Sequence, residues 1–284
     1  MIVLSQPQCG VGSRLPRGRT GFPSRRCVWY IGIPRMGDFD HKPFGSRADR
    51  AAQARVLREA LDAIRDDRPA AAFDLDSTLL INKARQARIV REYGGLVKDR
   101  RLAACPPEAV ISWDLRDTAR LCGLDAAEAE KLYPEMKAFW RDRFFTSEYC
   151  KDDTPVAGAR EYLHRVLKAG GEVLYITGRH EEMARGTLES FRRAGFPLPD
   201  GSKVQLWLKP NLADDDDAWK EICHARLREL QGLAAAFDNE PTHVNAYKRS
   251  FPDAVVVHLD TDHSRRPVEV LPDIPSIHDF VMEP

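Results

Sequence analysis

The chain lacks the cysteine spacing that structural zinc sites and redox dithiols use. Its six cysteines, at 9, 27, 105, 122, 150 and 223, include no C-x-x-C pair. Scattered thiols of this kind suit a reducing compartment, so the expectation is a cytoplasmic protein without disulfides. No apolar run approaches the roughly 20 residues of a membrane-spanning helix, which argues against a membrane partner. Net charge is also missing. Lys plus Arg and Asp plus Glu both number 43, so no overall field draws the chain to nucleic acid or anionic lipid.

Acidic residues are absent from one region. Residues 1–35 hold six arginines and no Asp or Glu, with Gly, Pro and Ser interspersed. Targeting peptides are Arg-rich and acid-poor, and basic arms bind nucleic acid. Neither reading has an amphipathic helix behind it, and the longest apolar stretch is only "VWYIGI". The composition reads as a disordered leader over residues 1–45, with Met36 as an alternative initiator.

What is present belongs to a globular domain: 284 residues, 43% hydrophobic and 30% charged. Residues 46–67 carry apolar side chains at helical spacing, and strand-like "AAAFDL" follows at 70–75. Residues 82–150 read as helices and short loops without a strand. Asp125 stands three residues before Glu128 there, as a capping box requires. From Thr154 onward helices alternate with the strands "EVLYIT", "KVQLWL", "AAAFD" and "AVVVHLD". That alternation implies βα units and an α/β fold with a parallel sheet covered by helices on both faces. The acidic run 214–217 opens a helix, where it favours the macrodipole and can cap free amides.

Ligands of open parallel sheets bind beyond the carboxyl ends of the strands. Those exits deliver Asp74 and Asp76, then Thr177, Gly178 and Arg179, then Lys209, and finally Asp238, Asn239 and Glu240. A polar residue at one strand exit is commonly a turn former or helix cap. Three carboxylates, a hydroxyl and an ammonium from four strands of one sheet form a constellation.

In that order the segments resemble the motifs of the haloacid dehalogenase (HAD) superfamily. "DLDSTLL" is similar to motif I, D-x-D-x-T; "YITGRH" to motif II; "LWLKP" to motif III; and "AAFDNE" to the acidic motif IV. The resemblance implies a HAD-like Rossmannoid core, residues 46–81 and 151–284, sandwiching its sheet between helices. It also implies an α-helical cap of the C1 type over 82–150, inserted after the first motif-bearing strand. Motif IV departs from the commoner patterns, because Thr242 stands where a second Asp is usual. Glu240 or Asn239 is then the candidate that completes the metal shell.

Chemistry gives these residues roles. Side chains two apart on an extended chain face the same way, so Asp74 and Asp76 can converge on one atom. A carboxylate can attack phosphorus and form an aspartyl-phosphate. The resemblance implies Mg²⁺ held by Asp74, Asp238 and the backbone carbonyl of Asp76, with the Asp76 carboxyl as general acid and base. Thr177 and Lys209 are the expected stabilisers of the phosphoryl charge, with Gly178 and Arg179 beside the phosphate. Thr78 is expected to support the loop leaving the first strand. The second aspartate of motif I belongs to the phosphoryl-transfer branches of this superfamily, not to its dehalogenases.

The expected activity is therefore that of a phosphatase, a phosphoric monoester hydrolase acting on a small-molecule phosphate ester. Alternatives are a phosphomutase, a phosphatase for nucleotides or nucleic-acid ends, and, outside enzymes, a catalytically silent binding module. The aromatic residues of 82–150 read as core by their helical spacing.

Overall fold

The computed structural model describes residues 47–230, 232–264 and 266–282. The arginine-rich leader read from the sequence lies outside them. In chain order the elements are α1 (Arg50–Asp62), β1 (Ala70–Phe73), β2 (Leu80–Ile81), α2 (Lys83–Val97), α3 (Arg100–Ala103) and α4 (Leu115–Leu121). Then come α5 (Ala126–Phe144), α6 (Ser147–Cys150), β3 (Thr154–Pro155), α7 (Ala159–Lys168), β4 (Glu172–His180) and α8 (Ala184–Ala194). The chain closes with β5 (Val204–Lys209), α9 (Asp216–Glu229), β6 (Leu233–Asp238), α10 (Pro241–Ser250), β7 (Val255–Leu259) and β8 (Ser276–Ile277).

Six strands form one parallel sheet in the order β5-β4-β1-β6-β7-β8. Strand β1 is buried at every position, as an inner strand covered on both faces must be. Its alternation sorts the core into two layers. Ala71 and Phe73 share a cluster with Leu57 of α1, Tyr162 of α7 and Phe191 of α8. Ala70 and Ala72 face the opposite way, toward Cys223 and Leu227 of α9 and Val244 and Tyr247 of α10. Phe73 pairs in register with Phe237 of β6, and their rings stack with centroids 4.8 Å apart.

The helices from α2 to α6 enclose a third apolar cluster of their own, with Tyr93, Leu102, Leu115, Met136 and Trp140 among its members. Asp125 caps α5 with the capping box expected of it: its carboxylate accepts from Glu128 N–H, and Glu128 returns the bond. Both ends of this helical segment are joined by an antiparallel pair, β2 with β3, where Leu80 faces Pro155 and Ile81 faces Thr154. Against the sheet-bearing part, α6 approaches α8 so closely that a Cβ on Gly186 would lie 2.1 Å from the Ser147 carbonyl oxygen. Only glycine fits there.

The acidic run behaves as a helix start. Asp215 is the N-cap of α9 and accepts from Ala218 N–H at 2.9 Å. No described helix is long and apolar enough to cross a membrane.

Candidate functional site

Strands β4, β1 and β6 are neighbours in the sheet, and their carboxyl ends bring Thr177, Asp74 and Asp238 to one cavity. Asp74 leaves β1 still in the ladder, its N–H donating to Phe237 O at 2.9 Å. The following turn is tight. The Leu75 carbonyl accepts from the N–H groups of Thr78, Leu79 and Leu80, and Ser77 takes a left-handed φ of 63°. Thr78 Oγ1 donates to Asn239 Oδ1 at 3.1 Å, tying the turn after β1 to the loop after β6.

The ammonium beside Asp74 is that of Lys220, not Lys209. Lys220 Nζ donates to Asp74 Oδ1 at 2.9 Å, to Asp238 Oδ2 at 2.9 Å and to Ile176 O at 2.8 Å. All three of its protons are thereby used. The Lys209 ammonium instead bonds Leu212 O, Asp214 O and Asp216 Oδ1, closing the loop into α9. Its strand explains why. Lys209 sits on β5, two strands from β1, a separation of about 10 Å at ordinary sheet spacing. Lys220 comes from a helix that packs across that gap, with Trp219 Nε1 donating to Thr177 O at 2.9 Å. Its signal was present in the pattern: positions 220, 223, 224 and 227 form the buried stripe of α9, where a lysine needs partners.

Asp76 turns to different cations. Arg179 grips it as a fork, with Nε 2.8 Å from Oδ2 and Nη2 2.7 Å from Oδ1. Arg85 Nη2, from the first turn of α2, bonds the same Oδ1. Both guanidinium groups also meet Asp153. Arg179 Nη2 lies 2.6 Å from Oδ2, and Arg85 Nε lies 3.0 Å from Oδ1 without hydrogen-bond alignment. Arg85, Arg179 and Asp153 are all buried. Arg85 and Asp153 escaped the sequence reading because neither ends a motif-bearing strand, and the 67 positions between them are closed only by folding.

The expected metal companions, Asn239 and Glu240, line the same cavity and already have partners. Asn239 engages both ends of its amide, accepting from Thr78 and donating Nδ2–H to Asp262 O at 2.6 Å. Glu240 accepts from Ser264 N–H at 2.9 Å and Ser264 Oγ at 2.8 Å, with Arg266 Nε at 3.5 Å. His243, absent from the sequence reading, bridges Asp238 at 3.4 Å and Asp217 at 3.0 Å. Among the described residues, no group of three or more His, Cys, Asp or Glu is placed to hold a metal ion. Asp74 and Asp238 do offer hard oxygen donors, and Lys220 engages only one oxygen of each. Mg²⁺ ordinarily binds through one or two carboxylates and keeps several waters, so this donor pair fits it.

Burial sets the electrostatics. It pushes the Asp74 carboxyl up to about 7, against the charge of Lys220 and with that of Asp238 adding to the rise. At Asp76 the same desolvation is overcome by Arg179 and Arg85, which hold the carboxyl well below the usual range. Desolvation of His243 is likewise outweighed by Asp238 and Asp217, and its imidazole rises to about 9. Thr177 Oγ1 accepts from Arg179 N–H at 3.2 Å, which leaves its own proton to donate. Gly178 and Arg179 line the cavity with it, and Arg179 is buried rather than on the surface.

Two acids follow β1, a hydroxyl lies on β4 and an acid ends β6 of one parallel α/β sheet, which is the order in which the motif resemblance places them. No family model matches the sequence, and no curated protein matches it. Among solved structures, a putative phosphatase from Clostridium difficile is similar at 13% identity and TM-score 0.47, over 71% of this chain and 89% of its own. A haloacid dehalogenase-like hydrolase from Streptococcus pneumoniae aligns at 11% identity and TM-score 0.45, over 75% of this chain and 95% of its own. CbbY from Rhodobacter sphaeroides, solved with phosphate, aligns at 15% identity and TM-score 0.44, over 75% of this chain and 95% of its own. The fold and the chemistry rest on this chain's own residues.

Proposed function

We propose that the chain is a Mg²⁺-dependent phosphomonoester hydrolase that works on a small phosphorylated metabolite through an aspartyl-phosphate on Asp74. One observation carries the reading: Asp74 and Asp238, at the ends of adjacent central strands, share the Lys220 ammonium at 2.9 Å each, with Asp76 two residues on. Asp74 attacks phosphorus, the ester P–O bond breaks, and water later cleaves the acyl phosphate. Asp74, Asp238 and the Asp76 carbonyl would hold Mg²⁺, whose positive charge offsets the repulsion between carboxylate and phosphate. Lys220 takes the charge-stabilising part expected of Lys209, and Thr177 donates to a phosphoryl oxygen.

Once freed from its clamp, Asp76 gives a proton to the leaving oxygen, which departs as the alcohol, and then takes one from the water that attacks the acyl phosphate. Substrate phosphate competes with it for Arg179, since a guanidinium fork matches phosphate as well as carboxylate. The helices of 82–150 serve as the cap that excludes water. Asn239 and Glu240 shape the loop around the metal.

The test is phosphate release across a panel of phosphorylated metabolites. Wild-type protein with Mg²⁺ releases phosphate without isomerised product. EDTA silences it, and Asp74→Asn, which keeps the shape of the side chain, lowers release at least about a thousandfold. Unchanged release by folded Asp74→Asn protein sinks the mechanism.

A further inference from the structure

The cavity that holds Asp74 encloses about 340 Å³ and has two unlike sides. Carboxylates and cations make the floor. The facing wall comes from the helical segment and is aromatic: Trp113, Trp140, Phe144 and Phe145 all line it. Trp140 and Phe144 lie one helical turn apart on α5 and stack at 4.5 Å. Trp113 stands edge-on to both, at 6.2 Å and 5.4 Å, and Phe145 is edge-on to Phe144 at 5.1 Å. Trp140 and Phe144 are buried, but Trp113 and Phe145 remain half-buried at the cavity. Helical spacing gave these rings as core, and for the back pair that holds. The front pair offers aromatic surface to whatever stands over Asp74.

Given the hydrolase reading of Asp74, we infer that the alcohol half of the substrate carries a flat aromatic ring, seated against Trp113 and Phe145. The ring supplies offset or edge-on contacts that an aliphatic group cannot. A cavity of 340 Å³ is at the small end for ligand sites, so it takes the phosphate and a single ring system rather than a long chain.

The test compares 2-phenylethyl phosphate with butyl phosphate, whose alcohols are of similar acidity, so that the difference lies in the apolar group that meets the aromatic wall. Wild-type protein favours the ring ester by about tenfold or more in kcat/KM. Trp113→Ala collapses that ratio toward one, and Trp113→Phe restores most of it. Binding is read separately, as quenching of tryptophan fluorescence by phenylphosphonate but not by methylphosphonate, neither of which can be hydrolysed as an ester. Equal efficiency on the two esters, or a ratio unmoved by folded Trp113→Ala protein, overturns the inference while leaving the hydrolase reading intact. Selective quenching without release from any ester supports the ring site and defeats only the hydrolase reading. Absence of both defeats the two together.

Discussion

The two carboxylates of the first motif stand two residues apart and are compensated by different machinery. Asp74 belongs to a cluster built from β1, β6 and α9, where one ammonium serves two acids and a carbonyl. Asp76 belongs to a cluster in which two guanidinium groups serve two acids, drawn from β4, from α2 and from the chain leaving the helical segment. The first cluster lies wholly within the sheet-bearing part. The second crosses between that part and the helices. An ammonium is a point charge that tolerates rearrangement, whereas a guanidinium fork fixes geometry. The compact cation thus sits between the two acids of adjacent strands, and the planar cations sit where the helices meet the sheet-bearing part.

Substitutions that remove one cation at a time separate the clusters. Lys220→Met strands Asp74 and Asp238 without their shared partner, and breaking a buried pair in this way costs about 3–5 kcal/mol. Phosphate release should fall about 100- to 1,000-fold as well, the scale of losing a charge-stabilising donor. Lys209→Met is the control. It loses bonds to two carbonyls and an exposed Asp216, costs about 1 kcal/mol and leaves release within a few-fold. Equal effects of the two changes on release would return the catalytic ammonium to Lys209.

Arg85→Met comes next. Asp153 and Asp76 keep Arg179 but lose half their compensation, so urea unfolding should show a loss of about 3 kcal/mol. Release should suffer less than in Lys220→Met, since Arg85 meets Asp76 and Asp153 but neither Asp74 nor Asp238. A drop in release as deep as that of Lys220→Met would erase the distinction between the clusters.

A further effect, on stability alone, lies outside both. His224 and His258 are buried, and desolvation lowers each imidazole to about 4 from 6.5. His258 donates Nε2–H to Asn239 O at 3.2 Å and accepts at Nδ1 from Ser276, a neutral tautomer. Folded values below the unfolded one mean that their contribution is complete above about pH 6.5 and is lost as pH falls through about 4. Each is worth at most about 3 kcal/mol over that window. Melting temperature followed from pH 7 to 4 should decline, and His224→Gln should flatten the decline. A slope unchanged by the substitution would place the acid sensitivity in the carboxylate clusters.

Much of this arrangement was legible from residue order. The strands that carry Asp74, Thr177 and Asp238 announce themselves as apolar runs, and where such a run stops its last polar residue faces the crevice. The capping box of α5 was equally plain. The short strands β2, β3 and β8 were not, because two residues carry no periodicity. Lys220 was hidden by a better match to the expected motif, a lysine at the end of "LWLK", although the buried stripe of α9 pointed to a lysine with partners. Arg85 and Asp153 pair across the whole helical segment, a closeness that no local spacing reports.

The central claim is that Asp74 receives the phosphoryl group while Lys220 and Asp238 hold the charge. Rapid quenching with ³²P-labelled substrate in Mg²⁺, followed by peptide mapping, tests it most directly. Acid-stable, hydroxylamine-labile label on the peptide that contains Asp74, absent from Asp74→Asn, is the predicted result. Label on another residue, or phosphate release from an enzyme that never becomes labelled, would contradict it.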